Sequence, residues 1–355
     1  MDIQIARAKV DIVIEQYFET ETKNAQAIDG SYGDLWRAMK QATLAGGKRL
    51  RPYLLLLGYS IVGGADFESI LSVAAAQELL HQCLLIHDDI IDRDLIRHGE
   101  LNVSGLMKQK YARYMSKPGH HSNGAAILAG DLLLSGAYQM VAHSSIKSDA
   151  KIKTITRMGE AVFRVGGGEL LDSESVIRPL LETDVLKVAE LKTASYSFVI
   201  PLVCGAELAQ ATAKEIAYLR EFGESLGIAF QLRDDVAGMF GTKKETGKST
   251  LSDIREGKHT LLLQYASIHA STKQQSILSG AVGNPRLTHA LADKVKQIVI
   301  ETGSLNEVEA VIKKFALRAE KAINKLQISP ASHAELTALI VRVKSEQLII
   351  LKNKI

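Results

Sequence analysis

Only two cysteines, Cys83 and Cys204, occur in 355 residues, and both lie inside apolar runs. That excludes a disulfide framework and a CxxC metal pair, and leaves them as small core residues. Prolines number six. Alternating apolar and polar runs joined by Asn-Gly or Asp-Gly turns are nearly absent, so a regular antiparallel sheet is not expected. Charge of one sign is missing too: the formal net charge is +3, which gives no bulk field for nucleic acid or an anionic membrane. No stretch reaches the roughly 18 uninterrupted apolar residues of a membrane span. The N-terminus, MDIQIARAKVDIVIEQYFE, carries charges where a signal peptide needs an uncharged core. The expectation is a cytoplasmic protein with no nucleic-acid partner and no integral membrane segment.

What is present is helix-forming. Apolar residues are 46% and charged ones 23%, enough for one large core or two domains. Apolar positions recur at spacings of three and four in 8–22 (Ala8, Val10, Ile12, Val13, Tyr17), in 213–233 (Ile216, Leu219, Phe222, Leu226, Ala229, Phe230) and in 307–325 (Val308, Val311, Ile312, Phe315, Ala316, Ala319). Each predicts a helix. The fold class is therefore all-α, with no Gly/Ser linker and no fixed-period repeat.

Polar residues interrupt this pattern at a few places. The stretch 80–99, LHQCLLIHDDIIDRDLIRHG, sets Asp88, Asp89 and Asp92 at i, i+1 and i+4 after the apolar run CLLI. The helix predicted for 69–87 leads into them. On a helix, i and i+4 share a face. Like charges beside a buried helix need a cation, and hard divalent ions prefer carboxylate oxygens and phosphates. A solvated helix end is the plainer reading of these three aspartates alone. Residues 43–53, TLAGGKRLRPY, place Lys48, Arg49 and Arg51 after two glycines and beside Pro52, which can open a helix. Such a loop is either a solvated basic turn or a phosphate cradle. His81 lies seven residues before Asp88, on its face, as a core histidine or a ligand. Residues 100–122 read as a short helix and a loop. Residues 125–140 read as a buried helix whose Asp131 would need partners. MGEAVFRVGGGELLD (158–172) puts three glycines into a helical pattern, the mark of close packing or close ligand approach, and then Glu169 and Asp172. Lys192 and Thr193 precede a long apolar run. Gln231, Asp234 and Asp235 end another buried helix, and Lys248 and Lys258 flank Asp253 in a Gly-punctuated loop.

Taken together, these segments resemble the trans-isoprenyl diphosphate synthase family, the polyprenyl synthetases. The residues that carry the resemblance are GGKRLRP (46–52), HQCLLIHDDIID (81–92), RHG (97–99), GD (130–131), GELLD (168–172), KTASYSF (192–198), and FQLRDD through TGKSTLSDIREGKHT (230–260). The resemblance implies one domain over 1–355, a bundle of long helices around a deep cavity, usually a homodimer, with the two acidic motifs facing each other across the cavity mouth. It implies isopentenyl diphosphate and allylic diphosphates as substrates, and Mg²⁺, or alternatively Mn²⁺, as cofactor. Asp88, Asp89, Asp92, Asp234 and Asp235 match the metal-binding carboxylates. Arg97, Lys192, Thr193, Gln231, Lys248 and Lys258 match residues at the allylic diphosphate. Lys48, Arg51 and His81 match residues that bind isopentenyl diphosphate, with His98 where the family has a second arginine for the same task.

That histidine is one of three departures. Gly238 stands where the second motif commonly ends in Asp, and Glu169 where Gln is expected before Leu170. Product length should be set by side chains one to three turns before the aspartates: Ala76, Leu80, Cys83 and Leu84. An aromatic residue at the place of Cys83 stops growth early in the family. Cysteine is small, so the expected product is longer than farnesyl, with geranylgeranyl the nearest stop. Two other readings compete with the synthase: a non-catalytic partner subunit, which His98 and Gly238 would suit, and a terpene cyclase, which would have no use for Lys48, Arg51 and His81.

Overall fold

A computed structural model describes residues 3–175, 181–241 and 252–345. Nearly all of them are helical, as the scarcity of proline and the three-four spacing predict. The only strands among the described residues are β1 (Ile96–Arg97) and β2 (Glu100–Leu101), an antiparallel pair with Ile96 opposite Leu101 and Arg97 opposite Glu100. The backbone groups into two compact units, Met1–Met158 with Cys204–Gln210, and Gly159–Val203 with Ala211–Ile355.

The first unit is built from α1 (Ile3–Ile28), α2 (Gly30–Leu44), α3 (Leu50–Ile61), α4 (Leu71–Ile91), the hairpin, α5 (Val103–Tyr111) and α6 (Gly119–His143). Polar caps mark several starts. Asp29 accepts from the Ser31 amide at 2.7 Å to open α2, and Asn102 accepts from the Gly105 amide at 2.8 Å to open α5. Helix α4 is buried on most sides: Val73, Ala74, Ala75, Ala76, Leu79, Leu80, Cys83 and Ile86 all lie in the core. Each large aliphatic side chain so buried contributes roughly 1.5–3 kcal/mol. Helix α4 packs chiefly on α6, whose Ala126, Ala129, Gly130 and Ala137 keep that contact close. Length and composition alone would let Glu68–Ile91 and Gly119–His143 cross a bilayer, yet 67% and 44% of their apolar windows are buried inside the protein.

Three local expectations are corrected here. Helix α4 does not end at His87: it starts at Leu71, after a 3₁₀ turn at Glu68–Ile70, and runs through Asp88 and Asp89 to Ile91. Helix α6 starts at Gly119, inside the stretch read as a loop, directly after Pro118, and no proline interrupts it before His143. Asp131 is not buried; its carboxylate is 65% exposed at the edge of the contact with α4, with Oδ1 3.7 Å from His87 Nε2.

The second unit contains α8 (Glu182–Val188), a π-helical segment (Ala189–Val199), α10 (Ala213–Phe240), α11 (Ser252–Glu256), α12 (Leu261–His269), α13 (Thr272–Ala281), α14 (His289–Glu301), α15 (Ser304–Ile323) and α16 (Pro330–Ser345). Helices α7 (Ser148–Glu174) and α9 (Ile200–Leu208) have residues in both units. A capping box starts α10: the Thr212 amide donates to Glu215 at 2.7 Å, and the Glu215 amide donates to Thr212 Oγ1 at 3.3 Å. Phe222, Leu226 and Ala229 of α10 and Val308, Ile312 and Ala316 of α15 are buried in the core of this unit. Two of the three helices that the apolar spacing predicts fall within α1 and α10; the third, 307–325, matches α15 but overruns its end at Ile323 by two residues.

Candidate active site

The end of α4 is acidic by design of its register. Asp92 is the C-cap; its amide donates to the Asp88 carbonyl at 2.8 Å, so the i, i+4 relation survives the helix end. An oxygen of the Asp88 carboxylate and one of the Asp92 carboxylate lie within 4.8 Å of each other. Two half-buried carboxylates at that separation offer the hard oxygen donors a divalent cation takes. Asp89, one residue round, does something else. It is 3% exposed, and the Arg97 guanidinium binds it through Nε at 2.9 Å and Nη2 at 2.7 Å. Arg97 Nη2 also reaches Asp88 Oδ2 at 3.0 Å. Burial raises the Asp89 carboxyl above its ordinary range against the pull of Arg97. Burial opposes the charge on Arg97, but Asp89 and Asp88 outweigh it and hold Arg97 above its ordinary value. The hairpin delivers Arg97 because His98 (φ 55°) and Gly99 (φ 84°) turn the chain back in left-handed conformations.

A cationic group lies a few turns earlier on the same unit. The loop before α3 bends at Gly47 (φ 115°), a conformation open to glycine but not to other residues. Lys48 is exposed and Arg51 half-buried in the first turn of α3. His81 faces them from α4. Its imidazole is pushed well below the ordinary value, first by burial and then by the positive charges of Arg51, Arg97, Arg49 and His98. At neutral pH it is therefore an uncharged ring among cations. His98 comes close as well: a side chain at Gly46 would start 4.0 Å from its ring. So Arg51, His81, His98 and Arg97 converge, and Lys48 stands on the loop beside them.

The second unit holds the remaining polar residues. Lys192 and Thr193 lie on the π-helical segment, a wide-turn form found mostly at functional sites. Lys192 Nζ is bound by Glu169 Oε2 and Asp172 Oδ2, each at 2.8 Å. Gly168 permits this: an added Cβ would sit 2.7 Å from the Lys192 amide nitrogen, so the last of the three glycines is required by close backbone approach. Thr193 Oγ1 donates to Gln231 Oε1 at 2.5 Å, and Gln231 Nε2 donates to Asp235 Oδ1 at 2.8 Å. This chain fixes the Gln231 amide and orients Asp235. Asp234 is exposed and Asp235 half-buried near the end of α10, with Gly238 one turn beyond. Lys258 pairs with Glu256 at 3.2 Å. Burial lowers the His259 imidazole, with Asp172 opposing. Lys248 lies outside the described residues.

Of the four residues expected to set product length, Ala76, Leu80 and Cys83 are fully buried and Leu84 is half-buried. The Cys83 thiol, 4.0 Å from His87 Nδ1, is pushed up to about 12 by burial, with Asp131 adding a little. Sequence reasoning missed two buried ion-pair systems beside the site residues, one at Arg49 and one at Arg233. Their partners lie tens of residues away, so only the arginine's place between site residues could have hinted at them.

Comparison with known proteins agrees with this arrangement. Residues 34–300 match the polyprenyl synthetase family. A geranylfarnesyl diphosphate synthase from Aeropyrum pernix is 30% identical over 84% of this chain and 89% of its own. A geranylgeranyl diphosphate synthase from Sulfolobus acidocaldarius is 34% identical over 72% of this chain and 74% of its own. Among solved structures, a geranylgeranyl pyrophosphate synthase from Corynebacterium glutamicum, in complex with isoprenyl diphosphate and magnesium, superposes with a TM-score of 0.93 at 29% identity. That superposition covers 97% of this chain and 99% of the other. With its acidic helix ends, its Lys-Thr on a π-helical turn and its glycine-flanked basic loop, the chain belongs to the polyprenyl synthetase family.

Proposed function

We propose that the protein is a trans-prenyltransferase that condenses isopentenyl diphosphate with an allylic diphosphate and releases diphosphate, with geranylgeranyl diphosphate as product. It acts as a cytoplasmic homodimer of one catalytic domain spanning 1–355. The observation that carries this reading is the cationic group of Arg51, Arg97 and His98 around His81. A cyclase has no second diphosphate to hold there, and a non-catalytic subunit needs neither that group nor the acidic helix ends. The names of the relatives support the chemistry and the product range. For the dimer, α7 exposes Phe163 and Leu170 on one face, and α6 exposes Ile127 and Leu128; apolar surface of this kind suits a second copy.

The geometry supports the following residue roles. Asp88, Asp92, Asp234 and Asp235 are the carboxylates that would hold Mg²⁺, and Asp89 serves by seating Arg97. When bound, the metal supplies Lewis acidity to the leaving diphosphate. Arg97, Lys192 and Lys258 neutralise the allylic diphosphate, and Thr193 and Gln231 hold Asp235 in register. Lys192 exchanges its two carboxylate partners for that substrate. Lys48, Arg51, His81 and His98 hold isopentenyl diphosphate, with His81 donating as a neutral ring. The allylic C–O bond breaks and its electron pair leaves with the diphosphate. The double bond of isopentenyl diphosphate then attacks the allylic cation, and a proton passes to the departing diphosphate. The protein positions both substrates and keeps water from the cation.

Purified protein with Mg²⁺, labelled isopentenyl diphosphate and a set of allylic diphosphates tests this directly. Label should enter a twenty-carbon product. Hydrocarbon without label would mean a cyclase, and turnover only after addition of another chain would mean a subunit.

Product length has its own test. Cys83→Phe puts a ring into a fully buried site on α4, at a stability cost of about 1–3 kcal/mol from overpacking. Chromatography should show the main product shortened to farnesyl diphosphate. An unchanged product from a folded variant would remove Cys83 from the ruler and leave the half-buried Leu84 as the next candidate.

A further inference from the structure

Arg49 stands between Lys48 and Leu50, two residues before Arg51. It is 3% exposed, although arginine is rarely so buried without partners. Its guanidinium donates through Nε to Asp11 Oδ1 at 2.6 Å, through Nη1 to Glu78 Oε1 at 2.9 Å and the Gly46 carbonyl at 3.0 Å, and through Nη2 to the Thr43 carbonyl at 3.0 Å. One side chain thus ties α1, the end of α2, the glycine loop and α4 together. Its own backbone is left-handed (φ 49°, ψ 44°), a conformation that is unfavourable for a non-glycine residue. The four bonds hold it there, between an exposed Lys48 and a half-buried Arg51.

The partner on α4 is also unusual. Glu78 lies one helical turn before His81 and is 2% exposed. Its Oε1 accepts both Arg49 and, at 3.4 Å, Gln82 Nε2, while its buried Oε2 has no hydrogen-bond partner. A pair optimised only for stability would use both oxygens in a fork. The one-oxygen contact ties the loop to α4 at the turn before His81 instead. Electrostatics fits the same role. Asp11 and Glu78 engage the Arg49 guanidinium, and Arg49 adds to the positive charge at His81 only after Arg51 and Arg97.

We propose that Arg49 is a positioning residue for isopentenyl diphosphate, acting through Lys48 and Arg51, with Glu78 and Asp11 as the carboxylates that seat it. The proposal rests on the reading that Lys48, Arg51 and His81 bind that substrate. A small displacement of a binding loop is enough to weaken substrate positioning by an order of magnitude or more.

The test is steady-state kinetics on Arg49→Lys, Glu78→Gln and Asp11→Asn, with Lys48→Ala as the control for the reading itself and with melting temperatures for all four. Arg49→Lys and Glu78→Gln should raise KM for isopentenyl diphosphate about tenfold, with KM for the allylic diphosphate and kcat within about threefold of the original. Asp11→Asn, at a half-buried position that tolerates change, should move the same constant in the same direction by a few fold; it keeps the test open if either buried variant fails to fold. Equal rises in both KM values, or a lower melting temperature with unchanged kinetics, would make Arg49 merely structural and overturn the proposal. Lys48→Ala without an effect on KM for isopentenyl diphosphate would instead overturn the site reading beneath it.

Discussion

Asp88→Asn is expected to lower kcat by about three orders of magnitude, or about 4 kcal/mol of transition-state stabilisation, with little change in melting temperature. Asparagine keeps the shape of the side chain and can still accept the Arg97 Nη2 contact now made at 3.0 Å. What it loses is the charge that, with Asp92 within 4.8 Å, suits a divalent cation. Charge neutralisation at a leaving diphosphate is the kind of interaction that strengthens as the bond breaks, so its removal falls on kcat. Asp92→Asn should behave alike. Asp89→Asn should not: its carboxylate is buried on Arg97, so its loss should raise KM for the allylic diphosphate through a loosened Arg97. Mn²⁺ titration followed by electron paramagnetic resonance separates the two roles, with weaker metal binding in the Asp88 and Asp92 variants and unchanged binding in the Asp89 variant. Near-normal turnover by Asp88→Asn would sink the metal assignment.

That difference between Asp88 and Asp89 marks how far the sequence reaches. The trio DDxxD, the Lys-Thr pair and FQLRDD were legible because each is local: helical spacing alone says which carboxylates share a face. The helices containing Phe222 or Ile312 were legible for the same reason, since burial repeats every three or four residues. Asp89 was not, because its orientation depends on Arg97, and Arg97 depends on a hairpin whose turn rests on left-handed His98 and Gly99. His98 read as a weakened substitute for arginine; its backbone conformation gives it a second, structural task. Nor could spacing show that Lys192 rests on Glu169 and Asp172. There the departure from Gln to Glu adds a second negative partner for the lysine. Asp131 failed for a simpler reason. A lone carboxylate in an apolar helix reads as buried until the partner helix shows which face it covers.

The same limit hides the interaction with the largest expected effect on stability. Arg233 sits inside the motif, directly before Asp234, yet it is 2% exposed and points the opposite way. Its guanidinium forks onto Glu309 of α15, through Nη1 to Oε1 and through Nη2 to Oε2 at 2.7 Å, and its Nε donates to the Val343 carbonyl of α16 at 3.0 Å. Arg233→Ala leaves Glu309 as an uncompensated charge and the Val343 carbonyl without this donor. The expected loss is about 3–5 kcal/mol, read as a fall in melting temperature on the order of 10 °C. Arg233→Met with Glu309→Leu removes both charges and fills the space with apolar atoms, and should recover most of that loss, because a buried pair stabilises little relative to well-packed hydrophobic residues. Recovered stability should not mean recovered activity. The arginine anchors the turn of α10 that carries Asp234 and Asp235 to two other helices, and Met cannot hold Val343 by a hydrogen bond. The double variant should therefore fold and still show a raised KM for the allylic diphosphate. If it regains full kinetics, Arg233 serves the fold alone; if the single variant melts unchanged, the fork onto Glu309 is not what holds α15 and α16 to the second acidic motif.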